Sequence, residues 1–174
     1  MLPKRGKPLQ FLNRLERGYP YIRENIGVSP EMVSKDIQYR DTMLIMAARF
    51  LEAEYGTEAL EVLAQWKDDR NRERWREIAE TTGRSDPEYL FDLFNEKVHD
   101  FEVVRKNPRA LEVKVTRCLH EETFRRFNAT DIGMRMICMG DHAVVEGFNP
   151  RIKFRRPKTL MAGESQCHFI FELE

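Results

Sequence analysis

Residues 101–115 read FEVVRKNPRALEVKV, and the pattern of this segment is the strongest indication of the fold class. Apolar residues alternate with polar ones on both sides of its centre, as they do in half-buried strands: Phe101, Val103, Leu111, Val113 and Val115. The pair Asn107-Pro108 between the two runs is a turn signal. The stretch therefore predicts a β-hairpin, and it marks the point where a helical pattern gives way to strands.

The part of the chain before the hairpin has helical periodicity. Ser29-Pro30 predicts a helix start, with the serine as cap and the proline in the first turn, and Gly56 predicts the end of this helix. Its apolar residues recur at roughly helical spacing: Met32, Ile37, Met43, Leu44, Met46, Ala47, Phe50 and Leu51.

Two further helices are predicted before residue 100. Thr57 is a candidate cap for a second helix that ends at Gly83, and its charged tract, 67–76, mixes both signs and indicates a solvated face. Asp86-Pro87 predicts the start of a third helix, whose apolar stripe extends from residue 89 to residue 98.

The segment after the hairpin mixes both kinds of element. Helical patterns cover residues 118–127 and 130–145, and residues 147–150 close the second helix. Alternating patterns over 152–154 and 167–173 predict two more strands. We therefore expect an α+β fold, in which a helical N-terminal half packs on a small, mainly antiparallel sheet formed by the C-terminal half.

Length and composition fit one folded domain. The 174 residues are predicted to form a single domain, with a partly extended arm at 1–28, a helical part at 29–99 and a mixed part at 100–174. The 29 basic residues balance the 29 acidic ones, so the charge indicates neither a nucleic-acid nor a membrane partner. Three cysteines without regular spacing favour a reducing cytoplasm over a disulfide framework. A homo-oligomer is compatible with the sequence.

The candidate site lies in the last third, which contains every cysteine and several histidines. Cys138 and Asp141 are three residues apart on a predicted helix and share a face. Cys138 is a candidate nucleophile or, equally, a small buried hydrophobe. Cys167 and His168 point to opposite faces of a predicted strand, and Cys167 is favoured because Phe169 shares its face.

The basic run after residue 150 supplies candidate anion ligands. Arg156 and Lys158 are candidates to hold a carboxylate, because guanidinium and ammonium groups donate charge-assisted hydrogen bonds. Alternation places Arg156 inward with Phe154, whereas the stripe that contains Arg155 faces solvent. Asn149 either binds substrate or caps the preceding helix.

A metal site is the main chemical alternative. The cysteines and histidines could supply zinc ligands, but no Cys-x-x-Cys or His-x-x-x-His pair is present. We therefore expect no cofactor, with zinc as the minority alternative. Cys118 and His120 belong to no recognised motif.

The C-terminal motifs resemble a known family. In order they are Cys138-Met-Gly-Asp141, Gly147-Phe-Asn-Pro150, the basic tract 155–163 and Cys167-His-Phe169. This order resembles the L-2-amino-thiazoline-4-carboxylate hydrolase-like proteins. Two positions depart from that pattern: His168 replaces an acidic residue, and Pro157 interrupts the basic tract.

The resemblance implies a hydrolase that opens a small carboxylated heterocycle without a cofactor. It implies that Asp141 activates water or a thiol, that Cys138 and Cys167 serve the site, and that Arg156 and Lys158 hold the substrate carboxylate. The alternative function is a non-catalytic domain on the same fold that senses or binds a small molecule or a metal.

Overall fold

Within residues 30–174, two long helices precede a four-stranded sheet with short helices inserted between its strands. The computed structural model describes residues 30–174. Before the sheet lie α1 (Pro30–Tyr55), α2 (Thr57–Thr82) and a 3-10 helix (Pro87–Leu93). The remaining elements are β1 (His99–Asn107), β2 (Ala110–Cys118), α3 (Leu119–Arg126), α4 (Thr130–Gly133), a π-helical segment (Met134–Cys138), α5 (Gly140–Phe148), β3 (Ile152–Arg155), a 3-10 turn (Leu160–Ala162) and β4 (Cys167–Leu173).

The sheet is antiparallel throughout, in the order β1-β2-β4-β3. Its first hairpin turns where the sequence predicts: the Asn107 side-chain oxygen accepts hydrogen bonds from the N–H groups of Arg109 (2.9 Å) and Ala110 (3.0 Å). Both later strands also form at the predicted places. The predicted α+β class is confirmed, with helices first and an antiparallel sheet in the C-terminal half.

The main core lies between one face of the sheet and helices α2 and α5. Val113 on β2 and Phe171 on β4 are completely buried there. Trp75 from α2 meets Phe148 from α5 edge to face, with 5.8 Å between ring centroids. This contact fixes α5, and with it the residues that precede α5, against the rest of the molecule.

A second core joins the helices to one another. Ala48 of α1, Ala64 of α2 and Phe124 of α3 are essentially buried there, together with Ile132 of α4 and Met136 of the π-helical segment. Packing of Met136 therefore holds one side of the π-helical segment. Arg135, the preceding residue, forms ion pairs with Glu61 and Asp68 of α2.

The face that α1 buries differs from the predicted stripe. Met32, Met43, Met46 and Phe50 are exposed. The buried positions are Ile37, which the predicted stripe contains, and Asp41, Ile45 and Ala48, which it does not, at spacings of three and four residues. The stripe is therefore correct at Ile37 and wrong at the exposed residues, because apolar residues occur on two faces of this helix and an aspartate lies in the middle of the buried one.

Three predicted helix details also differ. Thr57 is the first residue of α2 rather than its cap, because Gly56 occupies the cap position without a side-chain hydrogen bond. The third predicted helix is only a 3-10 helix that ends at Leu93. The predicted continuous helix over 130–145 is interrupted by the π-helical segment. By contrast, Gly56 and Gly83 both follow helices in the left-handed region, as their places in the sequence predict.

The predicted arm at 1–28 and the capping role of Ser29 lie outside the described residues. From Pro30 onward, no helix combines the length and the apolar character that crossing a membrane requires.

Candidate functional site

The candidate site forms where the junction between the π-helical segment and α5 meets the chain that leaves β3. Arg156, just after β3, connects these parts. It donates hydrogen bonds to the carbonyl oxygen of Cys138 (2.8 Å) and to Oγ1 of Thr159 (3.1 Å), and its Nη1 forms an ion pair with Asp141. Only 5% of the Arg156 side chain is exposed. Arg156 therefore points inward, as strand alternation predicts.

Asp141 lies in the first turn of α5, with its carboxylate against the Arg156 guanidinium. Its side chain keeps 27% exposure, so the group remains within reach of a small molecule. Burial raises the pKa of Asp141, while the charges of Arg156 and Lys67 act against that shift. A carboxylate with a raised pKa is a better proton acceptor than a solvated one.

The Cys138 thiol is adjacent to the same group but is not activated. Burial raises its pKa to about 12, and the nearby charge of Arg156 offsets only part of that effect. A thiol with this pKa is almost fully protonated at neutral pH and is a weak nucleophile. Cys138 therefore lines the site as a neutral thiol.

Cys167 joins the group from the sheet. It is buried at the start of β4, and its Sγ accepts a hydrogen bond from the backbone N–H of Leu160 (3.2 Å). Burial raises its pKa, and the charges of Arg156 and Asp141 also act on it. Four residues that the sequence singles out, Cys138, Asp141, Arg156 and Cys167, thus lie within electrostatic range of one another.

Other predicted binding residues have different surroundings. Asn149 donates from its side chain to the Ser85 carbonyl (2.6 Å) and accepts from the Arg151 N–H (3.0 Å), so its amide is occupied at the end of α5. Lys158 is exposed, and its carbonyl accepts the His168 N–H at 3.0 Å.

The residues that alternation places on the other face pair with carboxylates on that face. His168 contacts Glu112 through Nε2 at 2.8 Å, and Arg155 forms an ion pair with Glu172 at 2.6 Å. Both side chains are thus paired with carboxylates other than Asp141. The assignment of faces on these two strands is therefore the one that the sequence predicts.

Lys67 of α2 also belongs to this neighbourhood, although the mixed charges of residues 67–76 indicate a solvated helix face. A Cβ built on Gly140 would lie 3.0 Å from Nζ of Lys67, and Gly140 directly precedes Asp141. Burial lowers the pKa of Lys67, whereas the charges of Asp141 and Asp68 act in the opposite direction. A usable signal existed in the sequence, since Lys67 is the only lysine in a helix whose other cations are arginines.

A second polar cluster joins α1 to α3 at some distance along the chain from these residues. The buried Asp41 carboxylate contacts Nδ1 of His120 at 2.8 Å, and the His120 ring lies 6.3 Å from that of His99. Burial raises the pKa of Cys118 to about 11, although the N–H groups of Glu121 and His120 lower it. Nowhere in residues 30–174 do three or more His, Cys, Asp or Glu side chains group closely enough to hold a metal ion.

Two solved structures are similar to this chain at low identity. The phenol-responsive sensory domain of the transcription activator PoxR, with phenol, matches at 12% identity and a TM-score of 0.45, over 76% of this chain and 74% of that one. A trafficking protein particle complex subunit 3 from Naegleria fowleri, covalently bound to palmitic acid, matches at 10% identity and a TM-score of 0.42, over 80% and 95%. At this level of similarity, neither ligand carries over to this chain.

Comparison with curated protein sequences gives no significant match. The family model for L-2-amino-thiazoline-4-carboxylic acid hydrolase, however, matches residues 37–171. This match covers α5, the basic tract and most of β4, which are the segments whose motifs carry the resemblance. The chain therefore belongs to the L-2-amino-thiazoline-4-carboxylic acid hydrolase family.

Proposed function

We propose that this protein is a hydrolase that opens a small carboxylated heterocycle, with 2-aminothiazoline-4-carboxylate as the reference substrate. The family match over residues 37–171 is the observation that carries this proposal. The side-chain geometry supports it, since a partly exposed carboxylate, two neutral thiols and two cations adjoin one another in the matched region. No cofactor is part of the proposed reaction.

In the proposed reaction, Asp141 accepts a proton from water as the water oxygen forms a bond to the amidine carbon of the ring. The ring carbon–sulfur bond then breaks, the amidine carbon becomes the urea carbonyl, and the departing sulfur takes up a proton. Ring plus one water gives a carbamoyl-cysteine, so the atoms balance without a further reactant. A raised pKa of Asp141 suits this proton transfer.

Arg156 positions the base in this scheme. Its contacts with Asp141, Cys138 and Thr159 occupy the guanidinium within the protein. This use of the donors argues against the expectation that Arg156 binds the substrate carboxylate directly. We propose that Arg156 fixes the orientation of Asp141, while Cys138 and Cys167 line the site. The proposed reaction assigns no step to Asn149 or Lys158, and their part in substrate binding stays a prediction.

The test is turnover of 2-aminothiazoline-4-carboxylate by the wild type and by Asp141→Asn. Removal of a general base typically costs 10²- to 10⁴-fold in rate, so we expect kcat to fall by at least about 100-fold. Asp131→Asn is the matched control, because Asp131 is a helical aspartate with 60% exposure. Full activity of Asp141→Asn would remove Asp141 from the mechanism.

A binding or sensory domain without turnover is the second candidate function. The observation that favours it is the ion pair between Asp141 and the buried Arg156 guanidinium, which already occupies the carboxylate that the hydrolase would use as a base. A wild-type protein that binds the ring in calorimetry but releases no carbamoyl-cysteine would favour this candidate. In either case the proposed ligand is a small molecule, the proposed compartment is the cytoplasm, where thiols remain reduced, and a homo-oligomer stays a prediction.

A further inference from the structure

Among residues 30–174, Lys67 differs from the other cations near Asp141 in having no direct hydrogen-bond or ion-pair partner. Arg135 donates to Glu61 (2.9 Å) and Asp68 (3.1 Å), and Arg156 is paired with Asp141. Over residues 30–174, no hydrogen bond or ion pair involves the Lys67 ammonium. Anions act on it only at longer range.

The position of Lys67 suits it to a ligand rather than to solvent. Its Nζ lies beside Gly140, 3.0 Å from the position that a Cβ on residue 140 would occupy. Polar side-chain atoms of Asn71 and Asp68 lie 3.3 and 3.6 Å from that same Cβ position. Burial lowers the pKa of Lys67. A partly buried cation without a partner carries a desolvation cost that a bound anion would offset.

We propose that Lys67 is the cation that binds the carboxylate of the substrate, next to the carboxylate of Asp141 that acts on the ring. This inference rests on the proposed function for the identity of the ligand. It attributes binding of the substrate carboxylate to a residue of α2 and not to the basic tract 155–163. Lysine suits the task because its ammonium is a compact donor on a flexible stem, and Gly140 leaves space for it.

The experiment compares two ligands that differ only in the carboxylate, 2-aminothiazoline-4-carboxylate and 2-aminothiazoline. Binding of each is measured by calorimetry for wild type, Lys67→Met and Lys67→Arg, and turnover is measured in parallel. We expect Lys67→Met to weaken binding of the carboxylated ring by about 10- to 100-fold, the range for a hydrogen bond to a charged group, and to leave the other ligand unaffected. Lys67→Arg should retain part of the preference.

Two further variants sharpen the comparison. Lys35→Met removes a helical lysine whose side chain is 73% exposed, and it should behave as wild type. Gly140→Ala keeps the Lys67 charge but displaces its ammonium, so it should reduce the preference for the carboxylated ring. Thermal unfolding of each variant establishes that the protein is folded.

The outcomes separate this inference from the proposed hydrolase. Loss of the carboxylate preference in Lys67→Met supports the role of Lys67, whether or not the wild type turns the ring over. A preference that persists in Lys67→Met overturns the inference, and wild-type turnover would then still support the hydrolase. A wild type without any preference for the carboxylated ring also overturns the inference.

Discussion

Arg156 connects three parts of the candidate site through one guanidinium. The side chain is almost completely buried and reaches Asp141, the Cys138 carbonyl and Thr159. It also lies 5.3 Å from the ring centre of Phe169, so an aromatic face covers part of the charge. A buried cation requires such partners, because an unpaired charge would cost several kcal/mol, on the order of 3–5 kcal/mol when one partner of a buried pair is removed.

We expect the Cys138 thiol to react slowly with alkylating reagents in the folded protein. Its pKa of about 12 implies roughly a thousandfold less thiolate than an ordinary cysteine at neutral pH. Alkylation of Cys138 by iodoacetamide should therefore be far slower in the native protein than in urea, as peptide mass spectrometry can measure.

Cys138→Ala should keep kcat within about tenfold of wild type, because the proposed reaction uses water and not a thiol as the nucleophile. A thousandfold loss of kcat in this variant, together with a covalent substrate adduct trapped on Cys138 of the wild type, would identify Cys138 as the nucleophile.

At the scale of elements, the close approach of α2 and α5 holds the site together. Gly147 packs so tightly on α2 that an added Cβ would lie 2.3 Å from the backbone oxygen of Arg72. The Arg72 side chain also forms an ion pair with Glu146 at 2.7 Å. Lys67 lies on the same α2, so this contact sets the distance between Lys67 and Asp141.

Gly147→Ala tests this contact. The clash is with backbone, so the two helices must separate, and overpacking of this kind costs about 1–3 kcal/mol or more. We expect the free energy of unfolding in urea to fall by at least about 2 kcal/mol. Glu146→Ala, on the neighbouring exposed position, should cost no more than about 1 kcal/mol, since it removes only a surface ion pair. A stable Gly147→Ala protein would mean that α5 can shift without loss of packing.

The π-helical segment is a second element-scale feature. It shifts the turn between Met134 and Cys138, so that Cys138 and Asp141 no longer lie on one regular helix. The Met139 N–H donates to the Met134 carbonyl at 2.9 Å, which closes the wide turn. Arg156 reaches both the Cys138 carbonyl and Asp141 across this irregular stretch.

At the scale of the whole molecule, buried titratable groups set the pH dependence of stability. His99 begins β1 next to Phe94 and His120. Burial lowers the pKa of His99 to about 4, and the charge of His120 contributes in the same direction. The unfolded chain therefore binds a proton near pH 6.5 that the folded protein does not bind until about pH 4.

The sign of the effect follows from that difference. The contribution of His99 is fully present above about pH 6.5 and is lost as the pH falls toward 4, by up to about 3 kcal/mol. Urea unfolding at pH 7 and pH 4.5 should show the loss in the wild type and a smaller loss in His99→Phe. The exposed His142→Gln is the control and should keep the wild-type dependence. Identical pH profiles for the wild type and His99→Phe would contradict the prediction.

The sequence alone determined where the strands lie and which faces of β2 and β4 are buried. Alternation over residues 111–115 and 167–173 placed Val113, Cys167 and Phe171 inward and His168 outward, because the side chains of a strand alternate with a period of two. In β1 the alternation was wrong at Val103, which is 40% exposed. Alternation that continues from β3 placed Arg156 inward. Residue type and local spacing also predicted most residues of the candidate site, since its motifs lie within a short segment of the chain.

Which helix faces are buried, and which partners the buried charges have, depends on packing between elements that are far apart in the sequence. The apolar residues of α1 occupy two faces, and its packing on α2 and α3 selected the face with Ile45 and Ala48. Lys67 and Asp141 are more than seventy residues apart in the sequence, and they lie near each other because α2 and α5 pack closely at Gly147. The local sequence pattern does not predict contacts between residues so far apart, because these contacts depend on how whole helices and strands pack together at high density.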